Sequence, residues 1–278
     1  MEPITSFSNP KIKQARALRQ RKARQESGQF LVEGIRPVGE AATAAAAGRP
    51  VGIDMLLYAP DRLESDFAWQ LVQEQSQAGI PCYPVTTEVF ESISEKENPP
   101  GILAIVRLAQ PPLDSLTPLN FPWGVALLAP QDPGNLGTIL RTIDAVGASG
   151  LILVNDPQSG RFSCDPHHPA AVRASMGTLF WLPVVSVSFS RFAGWIGEGG
   201  YHLYGASAHG SISSRTAGGY LRPAVLLLGS EQEGLAPEHM AICERLVCLP
   251  MLGRASSLNL AVAAGIMLYA MLEDSTQG

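Results

Sequence analysis

The sequence predicts an α/β protein whose second half is built on a parallel sheet. Three observations carry this. Short runs of continuous apolar residues, among them "GVALLA" (124–129), "GLILV" (150–154) and "AVLLLG" (224–229), alternate with stretches of helical composition. Strands that are apolar throughout, not at every second residue, imply a sheet covered on both faces with helical crossovers between parallel strands. An apolar content of 46% in 278 residues supplies the core that such a sheet needs, with length enough for two domains of ordinary size.

In the first hundred residues, "NPKIKQARALRQRKARQ" (9–25) reads as one basic helix and "GQFLVEG" (28–34) as a short strand. "RPVGEAATAAAAG" (36–48) is an Ala-rich helix closed by Gly48, a residue suited to the left-handed helix end. "VGIDMLLYA" (51–59) is a strand, "FAWQLVQEQSQAG" (67–79) a helix, and "GILAIVRL" (101–108) a strand entered from Pro99 and Pro100. Four prolines in "AQPPLDSLTPLNFP" (109–122) resist regular structure. The linker is therefore placed at 109–121, between a domain of residues 1–108 and one of residues 122–278.

Alternation resumes beyond the linker. "NLGTILRTIDAVGA" (135–148), "PAAVRASMGTLF" (169–180) and "RFAGWIGEGG" (191–200) are helical, and "WLPVV" (181–185), "HLYGAS" (202–207) and "VCLPM" (247–251) belong to strands. The last helix opens near "SSLN" and is almost wholly apolar to Leu272.

Charge and composition narrow the class. The chain carries a formal charge of −5, yet residues 1–36 hold eight Lys/Arg against three Asp/Glu, so the remainder carries −10. A basic stripe, Lys11 to Arg24, beside an acidic body points to local contact with a polyanion. The start lacks the apolar segment of a signal peptide, and the longest apolar run is shorter than the ~20 residues that span a bilayer. Cys82, Cys164, Cys243 and Cys248 form no C-x-x-C pair. Reduced thiols in a cytoplasmic protein without membrane contact are expected.

Ligands of such sheets bind outside the carboxyl ends of the strands. The places to search follow "GVALLA", "HLYGA", "AVLLLG" and "VCLPM". Common phosphate-loop readings fail: no G-x-G-x-x-G opens a helix after a strand, and "GSEQEG" runs into Leu235 where a P-loop needs Lys. No G-x-S-x-G elbow occurs. "CDPHHP" gathers Cys164, Asp165, His167 and His168, but adjacent histidines in a proline-bounded loop rarely converge on one ion, and no metal is expected.

Three loops remain. "APQDPGNLGTILRT" opens a helix with free backbone N–H groups, places Asn135 near its cap, and carries Arg141 where a side chain leaning N-terminally reaches back over the rim. "LLLGSEQEGL" has Gly229 at a strand end and Glu231 just beyond it. In "LPMLGRASSLNLAVAAGI", Ser256 or Ser257 can cap the last helix, Asn259 can aim its amide at the rim, and Leu249 and Leu258 bracket an apolar slot. Taken singly, each of these has an ordinary structural reading as a cap, a surface ion pair or a loop acid.

Together, "DPGNLGTILRT", "LLLGSEQEGL" and "LPMLGRASSLNLAVAAGI" resemble the three motifs of the SpoU (TrmH-type) branch of the SPOUT RNA methyltransferases, in order and at family spacing. "VRASMGTLFWLPV" is similar to the segment between the first two. "FLVEGIRPVGEA" and "ENPPGILAIV" look like the small ribosomal-protein-like RNA-binding domain that many members carry. The resemblance implies a C-terminal parallel-sheet domain with a trefoil knot, a homodimer, and methylation of a ribose 2′-hydroxyl in RNA; the two-domain layout favours ribosomal RNA, a structured target that needs a separate docking surface, and leaves tRNA open. It implies S-adenosyl-L-methionine (AdoMet) held at Gly229, Leu249 and Leu258, and polar active-site positions at Asn135, Arg141, Glu231 and Asn259. Leu260 and Ala261 depart from the Val and Ser of many members. Two other classes are the alternatives: a different α/β nucleotide enzyme such as a dehydrogenase, which the missing glycine fingerprint disfavours, and a non-catalytic RNA-binding protein on the same fold.

Overall fold

Two sheets organise the chain, one of four strands and one of seven. The computed structural model describes residues 2–158, 160–207, 210, 212–213 and 219–275. Contacts divide it into two compact units: Met1–Ala109 with His167–Trp181, and Gln110–Pro166 with Leu182–Gly278.

The first unit begins with α1 (Pro10–Ala17) and α2 (Arg21–Ser27), followed by β1 (Gln29–Glu33), α3 (Ile35–Ala46) and β2 (Val51–Tyr58). Then come α4 (Asp66–Gln77), β3 (Cys82–Pro84), α5 (Thr87–Ile93) and β4 (Ile102–Leu108). The sheet order is β1-β4-β2-β3, with β4 antiparallel to β1 and β2, and β3 parallel to β2. The short β3 and α5 give no periodicity long enough to read from sequence. Gly48 closes α3 as expected: its φ is 76°, and the Arg49 and Gly48 N–H groups donate to the Ala44 and Ala45 carbonyls at 3.0 and 3.1 Å.

The single basic helix expected over 9–25 is two helices. The break at Leu18–Gln20 leaves carbonyls without intrahelical partners. Arg24 turns inward to meet them, its Nη1 donating to the Leu18 and Arg19 carbonyls at 2.8 Å each. It is only 4% exposed, so it belongs to the fold and not to a polyanion-binding stripe. Arg16 and Arg19 also spend hydrogen bonds inside the unit, on Ser92 and on the Ser94 carbonyl, and the Lys11 ammonium sits 4.4 Å from the Tyr83 ring centre. Lys13, Arg21, Lys22 and Arg36 remain exposed.

The rest of the chain runs β5 (Trp123–Leu128), α6 (Pro133–Ala145), β6 (Gly150–Asn155), α7 (Pro169–Ser175), β7 (Val184–Ser188) and α8 (Phe189–Gly199). It ends with β8 (His202–Ala206), β9 (Ile212–Ser213), β10 (Ala224–Leu228), α9 (Pro237–Ala241), β11 (Arg245–Cys248) and α10 (Leu260–Ser275). All seven strands of the second sheet run parallel, in the order β7-β6-β5-β10-β8-β11-β9. The central strands β5 and β10 are buried at every residue, which is why their sequences are apolar throughout. Leu113, Leu116 and Phe121, from the proline-rich segment, pack into this unit's core.

Residues 167–181 lie inside the second domain in sequence yet cluster with the first unit. There Phe30 stacks on His167 with ring centres 4.4 Å apart and on Phe180 at 6.4 Å, and the Trp181 indole N–H donates to Glu40 at 3.1 Å. Leu179 and Phe180 are buried. Met176 and Gly177 adopt φ of 53° and 99°, ending α7 abruptly so that the next turn reaches this core.

Candidate functional site

At the carboxyl end of β5 the backbone is already unusual. Ala129, a non-glycine residue, has φ of 42°, a strained conformation held by its N–H donating to the Val154 carbonyl at 2.8 Å. The chain then turns into α6. The cap is Asp132, not Asn135: its Oδ1 accepts the Gly134 and Asn135 N–H groups at 2.6 and 3.2 Å.

Glu231, two residues beyond Gly229 in the loop after β10, reaches the same helix mouth. Its Oε2 accepts the Gln131 N–H at 3.2 Å, and its Oε1 accepts the Asp132 N–H at 3.4 Å and the Asn135 Nδ2 at 3.3 Å. A carboxylate is stabilised there by unpaired donors and the positive helix end. Asn135 then accepts from Asn259: Nδ2 to Oδ1 is 2.9 Å. The Asn259 Oδ1 in turn accepts the Ala261 and Val262 N–H groups at 2.9 and 3.3 Å. Asn259 is thus the cap of α10, a role the sequence offered to Ser256 or Ser257. One hydrogen-bonded chain, Asn259–Asn135–Glu231, ties the three loops together.

Beside it opens a pocket of ≈ 390 Å³, within the range of small-molecule sites. Gly229, Leu249, Leu258 and Glu231 line it. Ser256 and Ser257 line it as well, with Ser207 from the end of β8. Gly229 is fixed by space: a Cβ there would overlap the Gly234 carbonyl carbon, because the 229–235 loop folds back on itself. Leu228, Leu235 and Val247 supply apolar wall and the serines and Glu231 supply polar groups. The lining therefore fits a ligand with an apolar body and polar edges.

Comparison with known proteins decides the family. The model of the "SpoU rRNA Methylase family" matches residues 122–269, and that of the "MRM3-like substrate binding domain" matches residues 9–104. The chain belongs to the SpoU rRNA Methylase family. It is 34% identical to the 23S rRNA (uridine(2479)-2′-O)-methyltransferase of Streptomyces viridochromogenes, over 99% of this chain and 93% of that protein. It is 27% identical to a 23S rRNA (guanosine(2553)-2′-O)-methyltransferase of Bacillus subtilis, over 97% and 98%. Among solved structures, the AdoMet-bound rRNA methyltransferase of Sinorhizobium meliloti superposes with a TM-score of 0.85 at 35% identity, covering 98% of this chain and 97% of that one.

Within this SpoU-family chain Arg141 stands apart from the other three polar positions. It lies on the outer face of α6, exposed, with no hydrogen bond or ion pair to any described residue. Gln131, unmarked in the sequence, donates its side-chain Nε2 to the Ala129 and Phe162 carbonyls at 2.7 and 3.0 Å. Glu233, another pocket residue, pairs with Arg161. Gln131 lies just outside the motif "DPGNLGTILRT", and the role of Glu233 inside "LLLGSEQEGL" depends on which loops meet.

Of the histidines near "CDPHHP", His168 caps α7, its Nδ1 accepting the Ala170 N–H at 3.1 Å, and His167 is the ring stacked on Phe30. Among the described residues, Asp156, Glu238 and His239 bring potential ligand atoms within 4.8 Å of one another. His239 is fully buried, and its Nδ1 accepts the Ala236 N–H at 3.1 Å, which puts the ring proton on Nε2, 3.8 Å from Asp156 Oδ2. Burial holds its pKa below the ordinary histidine value, with Glu238 and Asp156 opposing. The ring is thus held by one hydrogen bond at Nδ1, while its buried Nε2 meets no hydrogen-bond partner among the described residues.

Proposed function

We propose that the chain transfers a methyl group from AdoMet to a ribose 2′-hydroxyl of 23S ribosomal RNA. The observation that carries the reading is the pocket at the ends of β10 and β11, joined by the Asn259–Asn135–Glu231 chain to the mouth of α6. In it, Leu249 and Leu258 would take the apolar parts of AdoMet, and the main chain around Gly229 its polar edges. When bound, AdoMet supplies a methyl carbon on a cationic sulfur, already activated for attack by an oxygen.

The chain's own task is to place that oxygen. We assign the acceptor nucleotide to Arg141, because among the four polar positions it alone makes no hydrogen bond to a described residue. Its planar fork suits a phosphate or hydroxyl. Glu231, with both oxygens occupied by three N–H donors, positions the first turn of the helix that carries Arg141. Exposed Lys13, Arg21, Lys22 and Arg36 are assigned to phosphates of the docked RNA.

A homodimer belongs to the same reading. Val262, Ile266 and Tyr269 form an exposed apolar stripe on α10, at 49%, 46% and 49% exposure, and a second copy would cover it. Cytoplasmic residence fits four cysteines that form no disulfide. Among the described residues no helix is long and apolar enough to cross a membrane.

The test is to map 2′-O-methyl groups in 23S rRNA from cells with and without the gene. One ribose is expected to lose its methyl group and to regain it from purified protein and AdoMet. A target carrying 2′-deoxyribose at that site should accept no methyl; methylation there would overturn the ribose reading.

A further inference from the structure

The loop after β6 is pinned at successive residues yet leaves one aromatic ring in solvent. Asp156 and Arg161 exchange N–H···O bonds of 2.9 Å in both directions. The Arg161 side chain pairs with Glu233, the Ser163 N–H donates to Asn155 Oδ1 at 2.7 Å, and the Cys164 N–H donates to the Pro130 carbonyl at 2.7 Å. Between them the Phe162 carbonyl accepts from the Gln131 side chain at 3.0 Å. The backbone is therefore fixed on both sides of Phe162, while its ring is 55% exposed.

The position matters as much as the exposure. Gln131 holds the Phe162 carbonyl with its side chain and donates its own N–H to Glu231 at 3.2 Å. Glu231 and Glu233 both line the pocket. The Phe162 backbone is thus linked through Gln131 to Glu231, a side chain of the pocket lining. Asp132 and Glu231 make that edge acidic, the charge of Glu233 being offset by Arg161, so among the described residues the edge offers an RNA phosphate no unpaired cation. A nucleobase is neutral and offers a π face, for which a fixed exposed phenyl ring is the matching surface.

We propose that Phe162 is a stacking platform for an unpaired base of the RNA next to the nucleotide whose ribose is methylated. The inference rests on the methyl-transfer reading above. Stacking tolerates any base, so Phe162 contributes affinity and placement and does not select the base.

The experiment measures AdoMet-dependent methylation of deproteinised 23S rRNA from cells lacking the gene, with KM for RNA, kcat, AdoMet affinity and melting temperature for each variant. Phe162→Ala is expected to raise KM for RNA by roughly 5- to 150-fold, the range of a lost base–aromatic stack, with AdoMet affinity and melting temperature unchanged. Phe162→Leu, which keeps apolar bulk without a ring, should behave like Ala, and Phe162→Trp should restore the wild-type KM. A KM within twofold of wild type for Phe162→Ala, or full rescue by Leu, overturns the platform while leaving the methyl-transfer reading intact. A wild-type protein that transfers no methyl group to this RNA removes both.

Discussion

Replacing Glu231 by Gln separates a positioning carboxylate from a proton acceptor. The carboxylate accepts three N–H groups, at 3.2, 3.4 and 3.3 Å, from two backbone positions before α6 and from Asn135. These are long for N–H···O bonds, so each falls below the usual charge-assisted range, at about 0.5–1 kcal/mol. Gln keeps one carbonyl oxygen but turns an NH2 toward at least one of the three donors. Losing about two of the bonds costs ~1–2 kcal/mol, or roughly 2–8 °C in melting temperature for a chain of this size. Scanning calorimetry, AdoMet titration and single-turnover methylation at several pH values make the assay. The expected result is a lower melting temperature, weaker AdoMet binding, and a modest fall in rate with an unchanged pH profile. A Gln variant with wild-type melting and AdoMet affinity, but with turnover abolished, would refute the reasoning and make Glu231 the group that takes the proton.

Other outcomes follow from buried groups. Arg24→Ala removes two 2.8 Å bonds to the Leu18 and Arg19 carbonyls; it should cost ~2–3 kcal/mol in a denaturant titration, whereas Lys13→Ala should leave stability unchanged and weaken RNA binding. Burial pushes the Cys82 and Cys243 thiols up to about 11, so both should resist iodoacetamide at pH 8 in the folded protein and react once it is unfolded. His239 has a pKa below its ordinary value because burial disfavours the cation. The unfolded chain then binds the proton first, and the stability held by neutral His239 is lost as pH falls from about 6.5 downward; melting curves from pH 7.5 to 5 should show less of this decline in His239→Gln.

The parallel sheet was legible because β5, β6 and β10 are buried on both faces and their sequences have no polar alternation to hide that. The rim loops were legible as positions, and Gly229, Leu249, Leu258 and Glu231 do meet at one pocket. The links between them were not. Asn135 and Asn259 are 124 residues apart in sequence, and nothing local says that the amide of one reaches the oxygen of the other. The same limit hid Gln131 and Glu233, whose partners arrive from other loops. The break after α1 went unread for a different reason: every residue from Lys11 to Arg24 has acceptable helix propensity, and the interruption is stabilised by tertiary use of Arg24.

The segment 167–181 changes what a domain boundary means in this chain. By sequence it lies between two motifs of the methylase family model, which spans 122–269. By contacts it belongs to the unit built from Met1–Ala109. By contacts the chain passes between the two units at 109–110, 166–167 and 181–182. Leu179 and Phe180, at 0% and 2% exposure, complete the core of the first unit, where Phe30 stacks on Phe180. Cutting the chain at 108 would strip these side chains of their partners and leave apolar surface on the remaining half. Loss of RNA binding in such a fragment would then report misfolding as much as a lost docking surface. Exposed point substitutions at Lys13, Lys22 and Arg36, which touch no core, are the means by which docking and methyl transfer can be told apart.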